Sequence, residues 1–199
     1  MEKYIGKKIN TSIFICGRGS NLSSLIKYSK LKKTKINIKL VISDNQFAKG
    51  LNIAKKNKIK TVIVKYKEKK IVEEKILTIL KKYNIHLICL AGYMKILSSS
   101  FIKKFNHSIL NIHPSLLPKY KGLNTHVRAL KNNDKFTGAT VHLVTSKLDS
   151  GKIILQKKVR ILKSDTEKTL AKKVLKIEHK LYPTAIEKIL KNLVLKEKV

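Results

Sequence analysis

Short apolar runs alternate with amphipathic stretches along the first half of the chain, and this alternation constrains the fold more than any other feature. The apolar runs are rich in β-branched residues, which is typical of strands covered on both faces of a sheet. The strands predicted in this way occupy residues 11–16, 36–43, 60–64 and 85–90. Strands that alternate with helices predict an α/β fold, with a mostly parallel central sheet and helices on both faces.

The second half of the chain departs from this alternation. Residues 108–110 predict a buried strand, and residues 137–144 alternate like an amphipathic strand. Residues 153–159 follow without an intervening helix, so we expect an antiparallel element in this part of the sheet. A long helix is expected to begin at Asp165 and to break at Pro183, with a final helix after it. The chain of 199 residues shows no repeat or internal boundary, which predicts a single domain.

The formal net charge of +33 raises the question of a nucleic-acid partner. Arg18, Arg128 and Arg160 are the only arginines among 45 basic residues, whereas base recognition relies on the planar fork of arginine. The lysines are spread along the whole chain, as an AT-rich coding sequence would produce. We therefore expect no specific nucleic-acid partner and an attraction for anionic substrates, although a basic nucleic-acid-binding module remains an alternative.

Neither a membrane nor an oxidising compartment is indicated. No apolar run approaches the roughly 20 residues of a membrane span, and residues 1–8 lack a signal-peptide layout. Cys16 and Cys89 lie in apolar runs without a CxxC pattern, so we interpret them as reduced core residues. No cluster of metal-ligand residues is visible. These features predict a cytoplasmic protein without a metal, and a monomer and a homodimer both remain open.

A glycine-containing turn follows the first predicted strand. Gly17 and Gly19 precede Ser20 and Asn21, at which an amphipathic helix begins. Glycines allow the backbone to approach an anion, and the free N–H groups at a helix start point towards it. The spacing matches neither a dinucleotide fingerprint nor a Walker loop, and a small phosphate monoester fits it better. A simple strand-to-helix turn with a polar cap is the alternative interpretation.

Asn111 and His113 end the predicted strand at 108–110 and lie two residues apart, so both side chains face the same side of the sheet. Pro114 and Pro118 then prevent regular structure from continuing. An amide and an imidazole at the carboxyl end of a strand occupy the position where open α/β sheets bind ligands. A histidine at such a place can also be purely structural. His142 faces either this site or a neighbouring loop.

The fourth predicted strand ends in Ala91-Gly92-Tyr93, followed by Met94, Ile96 and Leu97. Small residues at a strand end, followed by apolar ones, are typical of a pocket wall. The same apolar residues could instead belong to the core.

Together these segments resemble the folate-dependent phosphoribosylglycinamide formyltransferases, also called glycinamide ribonucleotide transformylases. The resemblance extends from about Ile13 to Pro183. The segments that carry it are 16–22, 90–97, 111–122, 138–142, 148–151 with 154–156, and 178–183. It implies a formyltransferase-type Rossmann-like fold over residues 1–199. The phosphate-binding half would span about 11–108 and the catalytic and folate-binding half about 109–199.

The resemblance also implies a reaction and its residues. The formyl group of 10-formyltetrahydrofolate would pass to the amine of 5-phosphoribosylglycinamide in purine (IMP) synthesis, without a metal. His113 would carry the proton, Asn111 and His113 would stabilise charge on the formyl oxygen, and Asp149 would raise the basicity of His113. The substrate phosphate would bind Gly19, Ser20 and Asn21, and the ribose would bind Glu178. The folate would bind Lys69, Met94, Lys95, Ile96, Leu97, Asn111 and Val144.

Some positions depart from the pattern of the family. Lys69 and Lys95 stand where arginine is common, so the charge remains but the bidentate fork is lost. Asn124 replaces a frequent histidine. A methionyl-tRNA formyltransferase is the nearest alternative, because it shares the segment around His113. That enzyme carries a second C-terminal domain, however, and the residues after Val159 lack the length and strand pattern for one.

Overall fold

The computed structural model describes residues 8–196, and the side chains of residues 192–196 are outside the description. The described residues form a seven-stranded sheet in the order β3-β2-β1-β4-β5-β6-β7. The strands are β1 (Ile9–Ile15), β2 (Ile36–Ser43), β3 (Lys60–Ile63), β4 (Leu87–Leu90), β5 (Ser108–His113), β6 (Phe136–Leu143) and β7 (Ile153–Arg160). The helices are α1 (Ser20–Ser29), α2 (Lys49–Lys56), α3 (Lys69–Lys82), α4 (Ser99–Phe105), α5 (Thr125–Lys131) and α6 (Glu167–Lys196).

The pairing of the strands confirms the predicted α/β class. Strands β1 to β5 pair in parallel, and β6 and β7 are antiparallel to their neighbours. The chain leaves β1 towards one edge of the sheet and returns to add β4 on its other side. This reversal places the carboxyl ends of β1 and β4 beside one another, where α/β sheets bind ligands.

The central strands of the sheet are buried on both faces, as their continuous apolar sequences predict, whereas the edge strands β3 and β7 are largely exposed or half-buried. Along β1, Ile13 and Ile15 pack into a cluster with α1, α2 and α6, whereas Phe14 belongs to a second cluster with α3 and α4. Successive strand residues point to opposite faces, which accounts for this division. The strands that end at the ligand-binding edge are therefore fixed from both sides.

The expected break at Pro183 is wrong, because α6 continues through this residue. A proline cannot donate to the carbonyl four residues earlier, which is that of His179. The hydroxyl of Ser24 donates to this carbonyl instead, at 2.5 Å. The phenol oxygen of Tyr182, which is fully buried, also lies 3.0 Å from the carbonyl oxygens of both Leu90 and Leu110. Tertiary contacts from α1 and the sheet thus hold the helix together at the proline.

None of the helices formed by residues 8–196 is long and apolar enough to cross a membrane. The expectation about a signal peptide concerned residues 1–8, and residues 1–7 lie outside the described part of the chain. Cys16 and Cys89 are free thiols, but only Cys89 is fully buried. Burial raises the pKa of both thiols to about 12, which makes them poor nucleophiles.

Candidate active site

A cavity of about 410 Å³ opens at the carboxyl ends of β4 and β5. Its walls come from the loop after β4, the end of β5, the loop before α5, the end of β6 and the loop after it, and α6. Among the lining residues are Asn21, Met94, Lys95, Ile96, Leu97, Asn111, His113, His142, Val144, Asp149 and Glu178. Most of the residues expected to form the site therefore meet in one cavity.

His113 ends β5, and its imidazole is buried between two acceptor groups. Its Nε2 lies 2.8 Å from the carbonyl oxygen of Tyr120, and its Nδ1 lies 3.4 Å from Oδ2 of Asp149. The side chain of His113 is only 7% exposed. Each ring nitrogen thus faces an acceptor group, which orients the imidazole.

Asp149 connects the candidate catalytic side chains although it comes from a loop far along the chain. The N–H of Gly122 donates to its Oδ2 at 2.9 Å, and His142 Nε2 lies 3.5 Å from its Oδ1. Its backbone adopts a left-handed conformation with φ 44°, which is uncommon for a residue other than glycine. The carboxylate is therefore held by groups from one other loop and two strands.

Asn111 and His142 face one another across the antiparallel pair β5 and β6. Nδ1 of His142 lies 2.8 Å from the carbonyl oxygen of Leu143, so this nitrogen carries the hydrogen. Its Nε2 can then accept from the amide nitrogen of Asn111, which lies 3.2 Å away. A contact of 3.5 Å also joins that nitrogen to Oδ1 of Asp149. The amide nitrogen of Asn111 is thus oriented by its neighbours.

The pKa of His113 is lowered, although the charge of Asp149 acts to raise it as expected. Burial is the largest effect on this pKa, and it outweighs the opposite effects of the Tyr120 carbonyl and the Asp149 charge. Burial also acts to raise the pKa of Asp149, but the contacts with the His142 ring and the N–H of Gly122 prevail and the pKa is lowered. The arrangement favours a neutral imidazole beside an ionised carboxylate.

The glycine turn before α1 is tightly packed. Gly19 adopts φ 77°, and a Cβ atom there would lie 2.5 Å from Cα of Gly50. The N–H of Gly50 donates to the Gly17 carbonyl at 3.1 Å. The N–H of Ser23 donates to the Gly19 carbonyl, so the N–H groups of the preceding helical residues have no acceptor within the helix. Close approach by α2 thus fixes a helix start that can receive an anion.

Asn21 and Glu178 form a buried pair between the first turn of α1 and α6. The amide nitrogen of Asn21 donates to Oε2 of Glu178 at 2.6 Å. Burial raises the pKa of Glu178, and this hydrogen bond acts in the opposite direction. The Oδ1 of Asn21 has no hydrogen-bond partner among the described residues. Because its side chain is engaged in this way, Asn21 can offer a phosphate its backbone N–H.

Apolar side chains form the opposite wall of the cavity. Met94 and Ile96 are 59% and 57% exposed, whereas Leu97 is buried. The N–H of Met94 donates to the Cys16 thiol at 3.0 Å, which connects this wall to the glycine turn. Val144 continues the wall, and its N–H donates to the carbonyl of Ile109 at 2.8 Å. Exposed apolar groups at a cavity mouth are typical of a ligand-binding surface.

The two lysines assigned to the folate differ in position. Lys95 lines the cavity, with its Nζ 3.8 Å from Oδ2 of Asp44 and 5.8 Å from the centre of the Tyr66 ring. Lys69 begins α3 and lies beside a separate depression between α3 and α4, away from the cavity. Gly19 and Ser20 also lie outside the cavity lining, although Asn21 belongs to it.

Several lining residues were not assigned from the sequence. His142 was left between two interpretations, and its register opposite Asn111 places it in the site. Thr125, His126 and Glu167 also line the cavity. Burial lowers the pKa of His126. Only the long-range fold could have identified these residues. Within residues 8–196, no group of three or more His, Cys, Asp or Glu side chains could hold a metal ion.

Comparisons with known proteins agree with this geometry. Residues 9–186 match the family model described as formyl transferase. The phosphoribosylglycinamide formyltransferase of Escherichia coli is 38% identical over 181 residues, which cover 89% of this chain and 85% of that protein. The human trifunctional purine biosynthetic protein adenosine-3 is 40% identical over 184 residues, but the chain spans only 18% of its length.

Solved structures give the same result. The phosphoribosylglycinamide formyltransferase structure from Brucella melitensis superposes with a TM-score of 0.88 at 45% identity, covering 92% of this chain and 96% of that one. The structure of the same name from Anaplasma phagocytophilum has a TM-score of 0.85 at 42% identity, with coverage of 90% and 85%. The chain belongs to the formyl transferase family, as a member of its phosphoribosylglycinamide formyltransferases.

Proposed function

We propose that the protein transfers the formyl group of 10-formyltetrahydrofolate to the amine of 5-phosphoribosylglycinamide in purine synthesis. One observation carries this proposal: His113, Asn111 and Asp149 converge in a cavity that also reaches Asn21 and Glu178 beside the glycine turn. A phosphorylated amine could therefore be held at one place in the cavity and react at another. The similarity to the Escherichia coli enzyme supports the same reaction.

The nucleotide would bind between α1 and α6. Its phosphate would accept hydrogen bonds from the free N–H groups at Gly19, Ser20 and Asn21, with the helix dipole adding to the attraction. Glu178 and the unpaired Oδ1 of Asn21 are hydrogen-bond acceptors, which suits donation from ribose hydroxyls. In this arrangement the phosphate-binding half, about residues 11–108, contributes the anion site and the second half, about 109–199, the reacting groups.

The remaining wall fits a flat, largely apolar co-substrate. Met94, Ile96, Leu97 and Val144 provide apolar contact, and the backbone of the loop after β4 provides polar groups. Lys95 would attract a carboxylate on the co-substrate beyond the apolar wall. The assignment of Lys69 to the co-substrate depends on the family resemblance alone, since this residue lies outside the cavity. The co-substrate supplies the formyl carbon.

Side chains of the protein would stabilise the charge that develops on the formyl oxygen and would transfer the proton of the amine. The second amide N–H of Asn111 makes only a long contact of 3.5 Å to Oδ1 of Asp149, and Asn111 would donate it to the formyl oxygen as negative charge develops there. Loss of one such donor costs roughly 3 kcal/mol in other enzymes. His113 is neutral in the buried site and can take the proton of the attacking amine. Asp149 stabilises the imidazolium until His113 returns the proton to the departing nitrogen.

The free thiols of Cys16 and Cys89 are consistent with a reducing compartment, and we propose that the reaction takes place in the cytoplasm.

A formyl-transfer assay on the purified protein tests the proposal. The protein is incubated with 10-formyltetrahydrofolate and either the glycinamide nucleotide or methionyl-tRNA, with His113→Ala as the inactive control. We expect turnover with the nucleotide, none with the tRNA, and loss of turnover in the control. Formylation of the tRNA alone would instead support the methionyl-tRNA enzyme, and identical rates in the control would remove His113 from the reaction.

A further inference from the structure

The loop after β5 contains a residue whose backbone reaches the catalytic histidine although its side chain lies outside the cavity lining. Tyr120 has a left-handed backbone conformation with φ 56°. Its carbonyl oxygen lies 2.8 Å from Nε2 of His113. A carbonyl oxygen can only accept, so Nε2 must carry a hydrogen in this arrangement. Oδ2 of Asp149 can also only accept, but it lies 3.4 Å from Nδ1. The shorter contact to Tyr120 therefore selects the neutral tautomer of His113 with the unshared pair on Nδ1.

The side chain of Tyr120 holds this carbonyl in place. The hydroxyl of Tyr120 donates to Oδ2 of Asp134 at 2.7 Å and accepts from the amide of Asn132 at 2.9 Å. The Arg128 guanidinium lies 5.0 Å from the centre of the Tyr120 ring. Nζ of Lys119 reaches Oδ1 of Asp134 at 2.8 Å. A bulky residue held in a sparsely populated conformation requires such support from its surroundings.

The edge of the imidazole that carries Nδ1 lies near charged groups and other histidine rings. Nδ1 of His113 lies 3.4 Å from Oδ2 of Asp149. The charges of Asp149 and Arg128 also act on His113, and the rings of His142 and His126 lie close enough to interact with it. With Nε2 committed to a carbonyl, Nδ1 is the nitrogen that can gain a proton, and it does so beside a carboxylate. The imidazolium would then have an acceptor at each nitrogen.

We propose that Tyr120 is a positioning residue for the formyl transfer, and that its braced carbonyl makes Nδ1 the proton-carrying atom of His113. In the reaction, the N–H bond of the attacking amine breaks as the Nδ1–H bond forms. The amine nitrogen forms a bond to the formyl carbon, and the bond from that carbon to the folate nitrogen breaks. The same proton leaves Nδ1 for this departing nitrogen, so His113 ends as it began. The reaction itself rests on the proposed function, whereas the tautomer is a property of the free protein.

Nitrogen-15 NMR of the histidine rings in the full chain tests the proposal without any substrate. The His113 signal is assigned by its loss in His113→Asn. The tautomer is determined at a pH above the pKa of the His113 ring, where the imidazole is neutral. We expect the Nε2–H form in the unaltered protein. Tyr120→Phe and Asp134→Ala each remove one partner of the hydrogen bond that holds Tyr120 in place. Both variants should populate the Nδ1–H form. Tyr83→Phe, a tyrosine at the far end of α3, is the matched control and should change nothing.

Kinetics give the second measurement. We expect Tyr120→Phe to lower kcat about fivefold, the effect of losing a hydrogen bond, while KM for both substrates stays within about twofold. The proposal is overturned if the unaltered protein shows the Nδ1–H tautomer, or if Tyr120→Phe leaves both tautomer and kcat unchanged. If the expected tautomer is found in a protein without formyl-transfer activity, the proposed function fails while the structural role of the brace stands.

Discussion

The two ends of the cavity are built in different ways. At the proposed nucleotide end, Asn21 lines the cavity and follows Gly19 and Ser20 in one turn, held by the close approach of Gly50. At the proposed catalytic end, the groups come from the strands β5 and β6 and from a distant loop. The first end is specified by local sequence and backbone packing, and the second by sheet register and buried polar contacts.

This difference predicts different consequences of substitution. In the proposed function, backbone N–H groups at the helix start would bind the substrate whether or not it has begun to react, so damage there should appear mainly in KM. The proposed catalytic groups would act on charge that develops during the reaction, so damage there should appear in kcat. The variants below test that division, from the largest expected effect to the smallest.

Asp149→Asn should have the largest effect. The amide keeps the shape of the carboxylate but cannot stabilise the imidazolium, so we expect kcat to fall by about 100- to 1,000-fold. Single-turnover rates measure this, and circular dichroism checks that the fold is intact. A near-normal rate would remove the assigned role of Asp149.

The same variant should change the pH dependence. Burial holds the pKa of His113 below its ordinary value of 6.5, so the acid limb of the kcat profile should have its midpoint below 6.5. Asp149 acts to raise this pKa, and Asp149→Asn should therefore move the limb further towards low pH. A shift towards high pH would contradict the placement of the carboxylate beside the imidazole.

Gly19→Ala should damage the nucleotide end. The new Cβ would lie 2.5 Å from Cα of Gly50, and φ 77° disfavours alanine. We expect the free energy of unfolding to fall by about 2–3 kcal/mol and KM for the nucleotide to rise about tenfold. Urea unfolding and steady-state kinetics measure both. Gly17→Ala is the matched control, because a Cβ there meets nothing within 4 Å. Equal effects in the two variants would rule out the close packing as the cause.

Glu178→Gln should weaken binding of the nucleotide with little effect on the co-substrate. The amide cannot accept from Asn21 and the ribose as a carboxylate does, so we expect KM for the nucleotide to rise about fivefold to tenfold. Steady-state kinetics with each substrate varied in turn give the KM for the nucleotide and the KM for 10-formyltetrahydrofolate separately. A larger change in KM for 10-formyltetrahydrofolate would place the nucleotide elsewhere.

The smallest expected effects concern the two lysines. Lys95→Ala removes a cation from the cavity wall and should raise KM for 10-formyltetrahydrofolate by about threefold, as expected for a partly exposed charge. Lys69→Ala should change it by less than about twofold, since Lys69 lies outside the cavity. A larger effect of Lys69→Ala would show that the co-substrate extends to α3.

The sequence predicted the elements and the residues more readily than the contacts between them. The spacing of Asn111 and His113 placed both in the cavity because strand geometry is local. The prediction that the helix breaks at Pro183 was wrong. Ser24, on another helix, donates to the His179 carbonyl that the proline leaves free. The lowered pKa of His113 depends on burial by the whole fold, and the position of His142 depends on sheet register. Tertiary contacts decided each of these points.

A crystal structure with bound glycinamide nucleotide tests the central claim most directly, since it shows both ends of the cavity at once. We predict the phosphate at the N–H groups of Gly19, Ser20 and Asn21, and the amine turned towards His113 and Asn111. The amine should leave room for a formyl carbon at about 3–3.5 Å. A phosphate bound elsewhere, or an amine turned away from the imidazole, would contradict the account.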